Sequence, residues 1–209
     1  MASISVAGDS SGSITIAAPA VAGSGTLTLP VATDTLVGKA TTDTLTNKSI
    51  AATQLTGTIA ASALPAGSVL QVVQTVKTNS FSTSTASFID ITGLSVSITP
   101  QSASNKILVS AIIYLGVAAG NSRFNLVRGS TNIAQSTSGT ANQTLMGNIG
   151  GAYNGQTLPI LFYDSPATTS ATTYKIQFNA EGSAMTIGVR ATDNYYGGIC
   201  TITVMEIAG

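Results

Sequence analysis

All eleven aromatic side chains of this 209-residue chain lie at Phe81 or beyond. Up to about Gly67 the sequence is Ala, Thr, Ser, Gly and Leu, with no large side chain to anchor a core. Such a segment on its own buries too little apolar area to offset the entropy of ordering it. It is therefore expected to be an arm, ordered by packing on other chains, while a self-contained core belongs to the later residues. The organisation that results is an N-terminal arm over residues 1–67 and a C-terminal domain over residues 68–209. Fully extended, the arm would reach up to ~200 Å.

Short strands punctuate the arm. Ser13-Ile14-Thr15-Ile16 and Thr26-Leu27-Thr28-Leu29 alternate with period two and stop near Pro19 and Pro30. Thr33-Asp34-Thr35-Leu36-Val37-Gly38-Lys39 is echoed nine residues later by Thr42-Asp43-Thr44-Leu45-Thr46-Asn47-Lys48. Each copy sets Gly or Asn, residues that tolerate positive φ, ahead of the Lys. The segments Gln54–Ile59 and Ala63–Gly67 read as a turn-rich connector. No heptad runs through the arm, so a coiled-coil shaft is not expected.

From Val69 the apolar pattern is that of strands. Leu94, Val96 and Ile98 alternate with Ser95, Ser97 and Thr99. Tyr174, Ile176 and Phe178 alternate with Lys175, Gln177 and Asn179, and Met185, Ile187 and Val189 with Thr186, Gly188 and Arg190. Each pattern predicts one buried and one wet face. Ile107 to Val117 is apolar on both faces, as for a strand covered by its own domain on one side and a neighbouring subunit on the other. With Val69–Val76, Phe124–Arg128, Leu158–Tyr163 and Ile199–Ile207, roughly eight to ten strands are expected. No segment has a helical period. The fold class expected is all-β, the short-strand arm followed by an antiparallel, jelly-roll-like β-sandwich.

Composition narrows function. Only 8% of residues are charged, against roughly 25% in an average globular protein, yet 44% are apolar, which excludes a disordered chain. Hydroxyl and amide side chains solvate such a surface and can pack against copies of it without desolvating ions. The net charge is zero, with no basic cluster, so neither nucleic acid nor an anionic membrane surface is an expected partner. Ile107 to Ala119, the longest apolar run, is too short to cross a membrane as a helix. The start Met1-Ala2-Ser3-Ile4-Ser5 lacks the charged and apolar regions of a secretion leader, and assembly in a cytoplasm is the matching expectation.

Chemistry is sparse. There is no His, and the acids Asp9, Asp34, Asp43, Asp90, Asp164, Glu181, Asp193 and Glu206 are scattered singly. Neither a metal-ligand spacing nor a cofactor motif occurs, so no catalytic, metal or cofactor residue is assigned. Gly38-Lys39 fails as a phosphate loop, because Ala40 stands where Ser or Thr is needed and Thr33 where the upstream Gly belongs. The lone Cys200 shares a strand face with Ile202 and Val204 and is expected to be a buried, inert thiol. An enzymatic alternative, a polysaccharide-cleaving spike, would need two distant carboxylates to meet.

Two loops hold the candidate contact residues. Gly150-Gly151-Ala152-Tyr153-Asn154-Gly155 and Asp193-Asn194-Tyr195-Tyr196-Gly197-Gly198 set tyrosines among Gly and Asn. A phenol ring offers a stacking face and a hydroxyl at low entropy cost, which suits an adaptable surface for a glycan. On that reading Tyr153, Asn154, Asn194, Tyr195 and Tyr196 touch a receptor. The alternative is packing at a subunit interface or beneath a loop.

The strings Gly25-Thr26-Leu27-Thr28-Leu29-Pro30 and Thr33 to Lys48 resemble the N-terminal part of tail-fibre-like virion structural proteins of marine phages, cyanophages among them. Gly67-Ser68-Val69-Leu70-Gln71-Val72-Val73-Gln74, Phe88 to Pro100 and Lys106-Ile107-Leu108-Val109 are similar to the C-terminal domain of the same proteins. The resemblance implies an intertwined homotrimer within the virion. Its arm would dock on other virion proteins (tail, portal, adaptor or capsid), and the sandwich would point outward towards a host surface glycan. It transfers no catalytic or receptor residue. The chain lacks a long repetitive shaft, so a head fibre or a capsid decoration protein is an alternative to a tail fibre. A free carbohydrate-binding module is another.

Overall fold

The computed structural model describes residues 3–7, 11–17, 49–51, 53, 56–57, 59–117, 120–138, 143–148, 155–190 and 193–209. The expected strand Thr26–Leu29 and the nine-residue repeat over 33–48 lie outside the described residues. The chain divides into two compact units, Met1–Thr56 and Gly57–Gly209.

In the first unit, β1 (Ser3–Ala7) and β2 (Ser13–Ala17) form an antiparallel hairpin, with Ile4 opposite Ile16 and Val6 opposite Ile14. The alternation at Ser13–Ile16 thus corresponds to a strand. Its partner β1 has the same Ser/Ile/Val alternation but was not expected from the sequence.

The second unit is an antiparallel β-sandwich. In chain order its strands are β3 (Val69–Lys77), β4 (Phe81–Thr83), β5 (Ile89–Ile98), β6 (Lys106–Val117), β7 (Asn121–Arg128), β8 (Thr131–Ile133), β9 (Leu145–Asn148), β10 (Gly155–Asp164), β11 (Thr172–Asn179), β12 (Met185–Ile187) and β13 (Cys200–Ile207). One sheet has six strands. β6 is at its centre, with β10 along one edge, β13 and β12 sharing the other, and β3 and β4 beyond them. The second sheet runs β5, β11, β7, and then β8 and β9, which share the far edge of β7. Strands distant in sequence lie side by side, β3 by β13 and β5 by β11, as the chain crosses between sheets in jelly-roll fashion.

Period-two burial builds the core. Ile107, Val109, Ala111, Ile113 and Leu115 of β6 are buried, and they meet Leu94, Val96 and Ile98 of β5 and Tyr174, Ile176 and Phe178 of β11. Phe124 and Phe178 stack with centroids 4.9 Å apart at the middle of the five-stranded sheet. On β5 the alternation changes parity: Ile91 and Leu94 both point inward. Gly93, at φ 82°, takes up the extra residue as a bulge, a left-handed conformation glycine adopts without strain.

On β6 the inward face is buried, while on the outward face Leu108, Ser110 and Tyr114 are half-buried and Ile112 is exposed. One strand differs from the sequence reading. β12 has no wet face, because Thr186, the residue expected to be solvated, is buried against β4, where its hydroxyl pairs with that of Ser82 at 3.0 Å. The expected strand also stops short of Val189, which forms only an isolated bridge to Gly197.

Two buried acids fasten the sandwich. Glu206 accepts hydrogen bonds from Gln71 Nε2, Asn105 Nδ2 and the Gln101 amide, each at 2.6 Å, tying β13 to β3 and to the turn before β6. Burial raises its pKa, but those hydrogen bonds outweigh burial and hold the carboxyl below its usual range. Asp164 takes Arg128 Nη1 on both oxygens at 2.8 Å and the Tyr174 hydroxyl at 2.7 Å, joining the two sheets at β10, β7 and β11. Burial, and then the Asp164 hydrogen bond, push the Tyr174 phenol well above its ordinary pKa.

Candidate contact site

The loop between β12 and β13 is folded back on itself by the backbone. Gly198 N donates to Gly188 O at 3.0 Å, Arg190 N to Tyr196 O at 2.8 Å, and Asn194 N to Arg190 O at 3.1 Å. Asn194 turns the chain at φ 57°, a region Asn tolerates better than most residues. Asp193 then locks the turn from inside. Its Oδ1 accepts Arg190 Nε at 2.8 Å and the Tyr195 amide at 3.1 Å, and its Oδ2 accepts Arg190 Nη2. The hydrogen bond from Arg190 lowers the Asp193 pKa, and the reciprocal bond raises that of Arg190.

On this frame stand the tyrosines. Tyr195 is 75% and Tyr196 58% exposed, with their rings edge-to-face at a centroid distance of 4.9 Å. The Arg190 guanidinium lies 4.6 Å from the Tyr196 ring centroid and 5.9 Å from that of Tyr195, within cation–π range. Its side chain is only 14% exposed, so the cation supports the rings from below rather than projecting past them. The arrangement is a preformed aromatic knob with a polar rim. It can stack on an apolar sugar face and donate phenol hydroxyls, and its acid, Asp193, is taken up by Arg190 and the Tyr195 amide.

Of the expected contact residues, Asn194, Tyr195 and Tyr196 share this loop, while Tyr153 and Asn154 lie outside the described residues. The glycine ending each of the two loops meets a common neighbour, Tyr114 of β6. A Cβ on Gly198 would stand 2.5 Å from Tyr114 Cγ, and one on Gly155 would overlap the Tyr114 hydroxyl. Both loop ends are thereby clamped on one ring. Sequence reasoning missed Arg190, Asp193 and Tyr114 as parts of the site. The Arg190/Asp193 spacing of three was a usable signal for a self-locking turn, whereas nothing local marks Tyr114.

Among the described residues Asp90 pairs with Lys175 at 2.7 Å, Glu181 with Arg123 at 2.9 Å, Asp164 with Arg128 and Asp193 with Arg190. No group of three or more His, Cys, Asp or Glu among the described residues is arranged to hold a metal. Cys200 is buried beside Ile202 and Val204, and burial raises its thiol pKa. A cavity of about 510 Å³ is lined in part by Leu70, Gln101, Asn105 and Gly209. No helix of the described residues is long and apolar enough to cross a membrane. The sequence matches no protein-family model, and no curated protein is significantly similar to it.

Proposed function

We propose that this chain is a structural, non-enzymatic subunit of a bacteriophage particle, a homotrimeric tail fibre or appendage. Residues 1–67 attach it to other virion proteins, and the sandwich carries the Tyr195/Tyr196 knob to a host surface glycan. The observation that carries the adhesive part is the knob itself: two large exposed rings held in place by the Arg190–Asp193 lock, an arrangement a solvated turn does not need. The engagement of every described acid in an ion pair or, for Glu206, a set of amide hydrogen bonds favours binding over catalysis. Three copies per fibre, and several fibres per particle, multiply a weak contact without adding new ones.

The test is reconstruction of the parent particle together with adsorption by a Tyr195→Ala/Tyr196→Ala variant. Threefold density at the tail and an adsorption rate lower by about tenfold or more are expected, as for loss of central aromatic contacts. Density spread over the head would move the role to a head fibre or decoration protein. Absence from the particle refutes the structural reading, and undiminished adsorption by assembled variant particles refutes the knob.

A further inference from the structure

The outer face of the six-stranded sheet is apolar where a solvated sheet would be polar. Cross-strand register sets Val72, Met205, Leu108 and Tyr163 in one row across β3, β13, β6 and β10. Two steps further on lie Gln74, Thr203, Ser110 and Leu161, and then Val76, Thr201, Ile112 and Pro159. In the single chain Leu161 is 71%, Val72 55%, Tyr163 54%, Val76 47% and Ile112 44% exposed. Across these three rows there is no acid, Lys or Arg; Gln74 spends its amide on Thr203 at 2.8 Å.

We infer that this face is the contact between copies of the chain, three of them turned inward about a common axis. The inference rests on the homotrimer reading and says which surface makes it. Two observations bear on the occupant. The first is charge. A different protein can answer a charge with its opposite, but residues gathered around a symmetry axis meet their own kind, and like charges there repel. A face stripped of charge in a chain that carries ion pairs elsewhere fits the symmetric case. The second is size. From Leu108 to Ile112 across four strands the three rows cover roughly 300 Å² in plan, the size of the largest exposed patch on a typical monomer. Three such faces meet as three pairwise contacts of roughly 300 Å² each, so they form the apolar centre of a larger interface rather than the whole of it.

The full chain would be examined by sedimentation equilibrium, alongside Leu161→Asp and the control Ser95→Asp on the outer face of the other sheet. The expected result is three chain masses for the wild type and the control, and one for Leu161→Asp, with unchanged far-UV circular dichroism. Ile112→Thr, a milder change, is expected to weaken association at least about tenfold, which keeps the test usable if Leu161→Asp misfolds. A trimeric Leu161→Asp overturns the assignment of this face while leaving the trimer intact. A wild type that stays monomeric at every concentration overturns the trimer reading and this inference with it. A monomer whose face is shielded from limited labelling overturns both as well, and places another occupant upon the face.

Discussion

The two sheets of the sandwich have matching inner faces and opposite outer ones. Inside, both present Ile, Leu, Val and aromatic side chains at every second position. Outside, the five-stranded sheet carries Asp90 bonded to Lys175 and Gln177, and Ser97 paired with Thr173 at 2.7 Å. The equivalent surface of the six-stranded sheet carries Val72, Val76, Ile112 and Leu161. The alternation that folds a sandwich needs only one apolar face per sheet. A second apolar face adds nothing to folding and exposes the chain to association, so folding alone does not account for its chemistry.

The largest expected effect is on the inner faces, where the sheets are alike. Ile176→Asp buries an unpaired charge in the core of the five-stranded sheet, and a loss of about 4 kcal/mol or more is expected, enough to unfold a domain of ordinary stability. Thermal melting checks it, and an unchanged midpoint would refute the core assignment. A smaller effect distinguishes the sheets. Glu206→Ala leaves the donors of Gln71, Gln101 and Asn105 without their acceptor, at about 2–4 kcal/mol. Because the Glu206 carboxyl is held below its usual range, its contribution is complete above the unfolded-state value and is lost as pH falls through the folded one. Chemical denaturation of Glu206→Gln from pH 7 to pH 3 is therefore expected to show a flatter acid limb than the wild type. The smallest effect is that of Asp90→Asn. Lys175 and Gln177 hold this carboxyl low, with burial opposing them, but half of it is exposed, and a surface pair contributes at most about 1 kcal/mol. A larger loss would mean that the polar outer face is a contact surface as well.

Much of this architecture was legible in the sequence. Alternation at Leu94–Ile98 and Tyr174–Phe178 marks strands and their inward residues, since side-chain direction along a strand depends only on parity. The all-β class and the burial of Cys200 follow from the same rule. What parity does not encode is pairing. β1 is a strand because β2 lies beside it, and Thr186 of β12 is dry because Ser82 of β4 is there to meet it. The bulge at Gly93 resets parity within β5, so Ile91 and Leu94 could not be read as one face. The candidate site was half legible for the same reason. Tyr195 and Tyr196 stand out by composition in a Gly/Asn loop, but Tyr114 joins them from far along the chain, and the Arg190–Asp193 lock exists only once the turn has closed.

β13 comes after every other strand of the sandwich in sequence and yet lies in the interior of the six-stranded sheet, between β3 and β6. Its residues Cys200, Ile202 and Val204 fill the core, and Glu206 fastens two other segments, β3 and the turn before β6. During synthesis, β3 and β6 therefore emerge with a gap between them that only the much later β13 fills. The sandwich cannot close while β13 is still inside the ribosome. Until then the apolar outer face has no continuous surface to offer.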